Sequence, residues 1–212
     1  MSREMFDILD EHGKKTGEVA SRREVHCYGL WHAGMNLCVT DGHGNVFQQR
    51  RAGLPQVREL QNVWDLFFVA GHVQAGEEPL DTLLRELEAE VGVQFTVGEL
   101  HADMRLTKVS VSKSEYWVKD GSFPPPEEGS EHGFWHRVHD HNFVACMPDL
   151  DITCLNLDTK KVLDVRQYPI AQLLRDVESP HSPAWRELAH RPPNDERLYD
   201  EMLREAEALR AA

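Results

Sequence analysis

Leu80, Leu83, Leu84, Leu87 and Val91 recur at i, i+3, i+4, i+7 and i+11. That period commits residues 80–91 to a helix with one apolar stripe, which has to be buried against another layer. Pro79 near the first turn and Gly92 after the last bracket the helix. The segment before it supplies a layer. VWDLFFVAGH, residues 63–72, reads as an apolar strand stopping at Gly71, and the loop HVQAGEEP joins it to the helix.

The rest of the chain supplies more strands and helices. Residues 5–21 read as an N-terminal hairpin around HGKKTGE, and residues 35–50 as a second hairpin around DGHGN. Further strands are expected at about 103–112, 114–119, 134–147 and 161–168, interrupted by the acidic loop SFPPPEEGSEHG. Helices are expected at about 169–177 and 194–210, with Asn194 as N-cap of the last. Leu198, Met202 and Leu209 form a stripe there that suits packing on the chain's own domain. Trp64, Phe67 and Phe68 suit the core or a cleft wall. The sum is an α/β chain, an α/β/α sandwich with a mixed central β-sheet. Residues 1–178 are expected to form the domain and 179–212 a C-terminal helical extension packed on it.

Charge narrows the partners. With 36 acidic against 23 basic residues the net charge is −13, which repels a phosphate backbone and argues against nucleic acid polymers. A small phosphorylated substrate remains compatible, because a bound divalent cation inverts the local field. No apolar run approaches the roughly 18 residues of a membrane span, and the charged start MSREMFDILDE has no signal-like apolar region, so a cytoplasmic protein is expected. Cys27, Cys38, Cys146 and Cys154 lack CxxC spacing and read as reduced thiols.

The chemistry sits on the striped helix. At 100° per residue Glu86 and Glu90 lie about 40° apart on a flank away from the leucines, so they can grip one ion. Carboxylate oxygens completed by water and phosphate are what magnesium prefers, and manganese is an alternative. Arg85 adjoins the pair, and Glu77 is placed to ion-pair with it and tie the loop to the helix. The competing reading of the same residues is a solvated helix face dense in Glu and Arg. Arg50 and Arg51 end a hairpin strand, from which an arginine can reach a diphosphate or simply keep an edge soluble.

The spacing of Gly71, Glu77, Arg85, Glu86, Leu87, Glu90, Gly92 and Val93 resembles the Nudix box, Gx5Ex7REUxEExGU with U aliphatic. The resemblance implies a Nudix-type fold and a hydrolase acting on a diphosphate (acid anhydride) bond of a small substrate, a nucleoside diphosphate derivative or an isoprenoid-like diphosphate. It implies Glu86 and Glu90 as metal ligands, Glu86 as base, the Gly71 carbonyl as a further ligand, and catalytic parts for Arg85 and Glu77. One position departs from the pattern. Ala89 stands where a ligand Glu is expected, and Glu88, turned about 200° from Glu86, does not replace it.

FDILDEHGKKTGEVASRREVHCYGLWH and VWDLFFVAGHVQAGE further resemble the superfamily branch related to isopentenyl-diphosphate isomerase. By that resemblance His26, His32 and His72 correspond to metal ligands, with Glu115 and Glu131 as candidate acidic ligands; His72 is also a substrate-side candidate. The bland alternative gives His26 and His32 ordinary hydrogen bonds in strands and His72 a role in shaping the loop. Ala70 replaces the cysteine that the isomerase needs. His132, His136, His139 and His141 match no closed tetrahedral spacing. Isomerisation and ligand binding without catalysis therefore stand beside hydrolysis. Loops 52–62 and 120–133 are the expected seats of specificity, and the oligomeric state, a homodimer included, is open.

Overall fold

A computed structural model describes residues 4–52, 62–96, 98–99, 105–119, 132–178 and 195–209. Asn194, Glu131 and most of the two expected specificity loops lie outside these residues. The N-terminal hairpin pairs β1 (Met5–Leu9) with β2 (Lys15–Ser21), antiparallel. Ser21 then caps a short helix, α1 (Arg22–Tyr28), through a capping box with Glu24, and Gly29 closes it in the left-handed conformation at φ 61°. This helix was not among the sequence expectations, and it carries His26 on helical rather than strand backbone.

The central sheet is mixed. β3 (His32–Thr40) runs parallel to β8 (Gly133–Cys146), and the other pairings are antiparallel. β4 (Asn45–Arg51) lies between β3 and β9 (Val162–Pro169). The run expected as one strand over 63–72 is two pieces, β5 (Trp64–Asp65) on β4 and β6 (Val69–His72) on β3. The break has a local cause: the buried Asp65 carboxylate accepts a hydrogen bond from the Phe67 amide at 2.9 Å, which folds the chain over. Conversely, the two strands expected at 103–112 and 114–119 are one, β7 (Thr107–Lys119), because β8 pairs with its whole length.

Period-2 alternation divides the core. Met35, Leu37 and Val39 of β3 with Phe143 and Ala145 of β8 face α2 (Pro79–Glu86) and the turn that follows it, with Leu83 of the helix and Leu87 and Val91 of the turn fully buried. Cys38 and Val144 face the opposite way, against α3 (Ile170–Glu178) and α4 (Asp195–Ala208). Helices therefore cover both faces, the expected α/β/α arrangement. Leu198, Met202 and Leu209 lie in the cluster that covers the second face.

One detail of α2 departs from expectation. The regular helix ends at Glu86, and Leu87–Val91 form a π turn before Gly92, at φ 73°, stops the chain. The widened turn leaves Glu88 and Ala89 exposed while Glu86 and Glu90 stay buried. Among the described residues no helix is long and apolar enough to cross a membrane.

Met202 is fully buried, whereas Leu163 on β9 is 42% exposed. Met202→Ala should lower unfolding stability by about 2–5 kcal/mol, and Leu163→Ala by less than about 0.5 kcal/mol. Urea denaturation checks both; a neutral Met202 variant would mean that α4 does not help hold the sheet.

Candidate functional site

Gly71 brings α2 down onto the sheet. A Cβ there would stand 2.8 Å from Cγ of Glu86, so any larger residue would have to displace the Glu86 side chain. Glu86 and Glu90 are 5% and 6% exposed, a burial that carboxylates bear only when compensated. The compensation is visible. The Lys161 ammonium lies 3.0 Å from Oε2 of Glu86 and 3.3 Å from Oε1 of Glu90, and the Arg85 guanidinium pairs with the other Glu86 oxygen. Burial pushes the Glu90 carboxyl up to about 7, with Lys161 opposing and Glu86 reinforcing the shift. Lys161 is held above its ordinary value although burial works against it, because both glutamates face it.

Arg85 also locks the loop. Its Nε and Nη2 donate to the two oxygens of Glu77 at 3.0 and 3.1 Å, and Nη2 donates to the His72 carbonyl at 3.2 Å. Glu77 further accepts from the Thr82 hydroxyl at 2.7 Å and the Gln74 amide at 3.2 Å. Burial works to raise the Glu77 carboxyl, but these donors together hold it below its usual value.

The next residue faces the other side of the sheet. The His72 ring stacks on His32 at 5.0 Å and on Phe6 at 5.2 Å, and meets His26 edge-on at 5.3 Å. Nitrogens of His26, His32 and His72 lie within 4.8 Å of one another, a group able to hold a metal ion. His136 closes on the cluster, its ring 6.4 Å from His26 and 6.3 Å from His72. Burial drives His26 and His32 to about 4 and His136 to about 3, and holds His72 well below its ordinary value, so all four are neutral at pH 7. His32 Nδ1 lies 3.0 Å from the Leu30 carbonyl, which places its proton there. Its Nε2 is buried with no partner among the described residues, which is the lone-pair form in which imidazole binds metals.

Residues 30–188, well over half of the chain, match the family model of the NUDIX domain. The chain belongs to the Nudix family. It is 26% identical over 186 residues to "Nudix hydrolase 3" of Arabidopsis thaliana, an alignment that takes in 87% of this chain but only 22% of that protein. It is 32% identical over 137 residues to an uncharacterised Nudix hydrolase of Streptomyces coelicolor, covering 62% of this chain and 74% of the relative. The fold is also similar to the crystal structure of DR0079 from Deinococcus radiodurans, with a TM-score of 0.58 at 14% identity over 94% of this chain and 99% of the other.

Within this Nudix domain the candidates named from sequence divide between places. Gly71, Glu77, Arg85, Glu86 and Glu90 come together on one face, while the His72 side chain joins His26 and His32 on the other. Arg51 pairs with the buried Asp65 at 3.0 Å, and its charge reaches Glu90. Arg50 turns toward Asn62 and Asp164 and lies over Trp64. Glu115 is ion-paired with Arg137 at 2.8 Å. His139 lies beside the Asp10 carbonyl and His141 beside Lys108, so the four histidines of 132–141 do not converge. Sequence reasoning missed Lys161 altogether, since nothing in DTKKVLD distinguishes it. It also missed the separation of His136 from its histidine-rich neighbours, although the period-2 alternation of β8 carries that signal.

The neutral histidines set a pH dependence. Their folded pKa values lie below the unfolded 6.5, so the unfolded chain binds more protons between about 6.5 and 4 and stability is lost as pH falls through that window. Glu90, raised to about 7, acts oppositely and loses stability as pH rises, but four histidines outweigh it. In chelator, the melting temperature should drop between pH 7 and 5, and less steeply in His136→Asn; a flat or rising profile toward pH 5 would contradict the assignment.

Proposed function

We propose that this chain hydrolyses a diphosphate linkage in a small phosphorylated molecule, a nucleoside diphosphate derivative or an isoprenoid-like diphosphate, using magnesium or manganese held by Glu86 and Glu90. The observation that carries this is one position where two buried carboxylates converge on a cation, here an ammonium. Their hard oxygens suit a divalent ion, and the Gly71 carbonyl is the further ligand implied by the family pattern. The name of the Arabidopsis relative supports hydrolysis.

A bound divalent ion supplies charge neutralisation at the phosphate oxygens and a more acidic attacking water. The chain's own residues supply the rest. Glu86 takes the proton as water forms its bond to phosphorus and the anhydride P–O bond breaks, releasing two phosphate products. Arg85 orients Glu86 and, through Glu77, holds the loop that flanks it. Arg51, whose charge reaches Glu90, is our candidate to meet substrate phosphate through guanidinium donors not committed to Asp65, whereas Arg50 points toward Asn62 and Asp164. A net charge of −13 disfavours nucleic acid polymers as partners, and a cytoplasmic setting suits four thiols and a magnesium-dependent reaction.

The histidine cluster favours a second reading, an active site like that of isopentenyl-diphosphate isomerase, whose metal is held by histidines. Ala70 speaks against it, because it lies among apolar side chains where the isomerase has a reactive cysteine. Phosphorus NMR of a diphosphate panel separates the two, since only hydrolysis releases a new phosphate species. Glu86→Gln should keep its circular dichroism spectrum and lose about 100-fold or more in kcat; undiminished turnover would remove Glu86 from the chemistry.

A further inference from the structure

The Glu86–Glu90 pair already has a cation. We propose that Lys161 is a tethered counter-cation of this pair, and that a divalent ion binds there only by displacing its ammonium. The inference rests on the reading of Glu86 and Glu90 as the divalent-ion site.

Three observations carry it. The first is position: Nζ stands 3.0 and 3.3 Å from one oxygen of each glutamate, between the two groups that an ion would share. The second is how that position is set. The Asp158 amide donates to the Glu90 carbonyl at 2.9 Å, and the Asn156 amide to the Val91 carbonyl at 3.1 Å, so the segment before β9 is stitched to the π turn. Lys161 itself donates from its amide to the Asp158 carbonyl at 2.8 Å and accepts from the Ala52 amide at 2.8 Å. Its backbone is thereby fixed beside the pair. Its side chain, 48% exposed, has four flexible carbons and a way out to solvent.

The third is charge. Both carboxylates face Lys161, and Glu86 also shares Arg85 with Glu77, so the chain's own cations already balance much of the pair's charge. Ala89 is exposed where the family pattern has another carboxylate, so this position adds no further negative charge beside the pair. A divalent ion added beside a seated ammonium would set like charges together in a poorly solvated place, so one of the two has to leave. The exposed, flexible ammonium is the one that can. Affinity for the ion is therefore reduced by the work of expelling Lys161.

Manganese titration of the full chain, followed by electron paramagnetic resonance of the free ion, tests this without any turnover. Ions bound at the pair are defined as those lost in Glu90→Gln, which separates them from any held by the histidines. Lys161→Met should bind that ion about tenfold more tightly than the unaltered protein, and Lys161→Arg, which keeps the charge, within about threefold of it. In the unaltered protein, acylation of Lys161 by an amine-reactive ester, read by peptide mass spectrometry, should accelerate when manganese is added. Equal or weaker binding in Lys161→Met, or acylation unmoved by saturating manganese, would overturn the role of Lys161 while leaving the metal site intact. If Glu90→Gln removes no bound manganese in either background, the divalent-ion reading falls and takes this inference with it. The acylation arm keeps the test decisive should Lys161→Met fail to fold.

Discussion

The close approach of α2 to β6 at Gly71 governs the rest of this structure. Because no side chain separates the strand from the helix there, Glu86 lies directly on the sheet and its carboxylate is buried. The same approach lets Arg85 reach back to the His72 carbonyl while gripping Glu77, so strand, loop and helix become one rigid unit. A larger residue at position 71 would displace the Glu86 side chain and so disturb the carboxylate pair.

That geometry makes electrostatics the second constraint. Burying Glu86 and Glu90 together costs solvation and adds repulsion, and only nearby cations make it tolerable. Arg85 comes from the same helix, whereas Lys161 is delivered by a segment that hydrogen-bonds to the π turn. Across the sheet the polar cluster follows the opposite logic. Four imidazoles crowd among Phe6 and Phe134 and are kept neutral by burial, leaving the lone pair on His32 Nε2. One sheet thus separates a hard, anionic group of oxygens from a softer, neutral group of nitrogens, with Gly71 and His72 as consecutive residues facing one each.

Much of this was legible beforehand. The leucine stripe fixes which side of α2 is buried, and the mixture of hairpins with amphipathic helices indicates a layered α/β fold. Where the reading failed, long-range contacts had the deciding vote. The apolar run 63–72 divides because the Asp65 carboxylate finds the Phe67 amide and the two halves find different partner strands. The π turn is invisible to a 3.6-residue period, since the apolar positions 87 and 91 satisfy either winding. Helix α1 has a capping box, but its seven residues are too few to show a helical period in the sequence.

The amino-acid sequence alone determined the local chemistry: a glycine at the end of a strand, glutamates and an arginine at set intervals on the following helix, and a stripe that orients them. Spacing along one element is a matter of covalent geometry, so it can be read without folding the chain. Tertiary structure decided which distant groups share each space. It brought Lys161 between the glutamates, turned Arg51 toward them and Arg50 away, and gathered His26, His32, His72 and His136 from α1, β3, β6 and β8. Such meetings depend on strand pairing and on the two-sided alternation of the sheet, which no spacing within a single segment encodes.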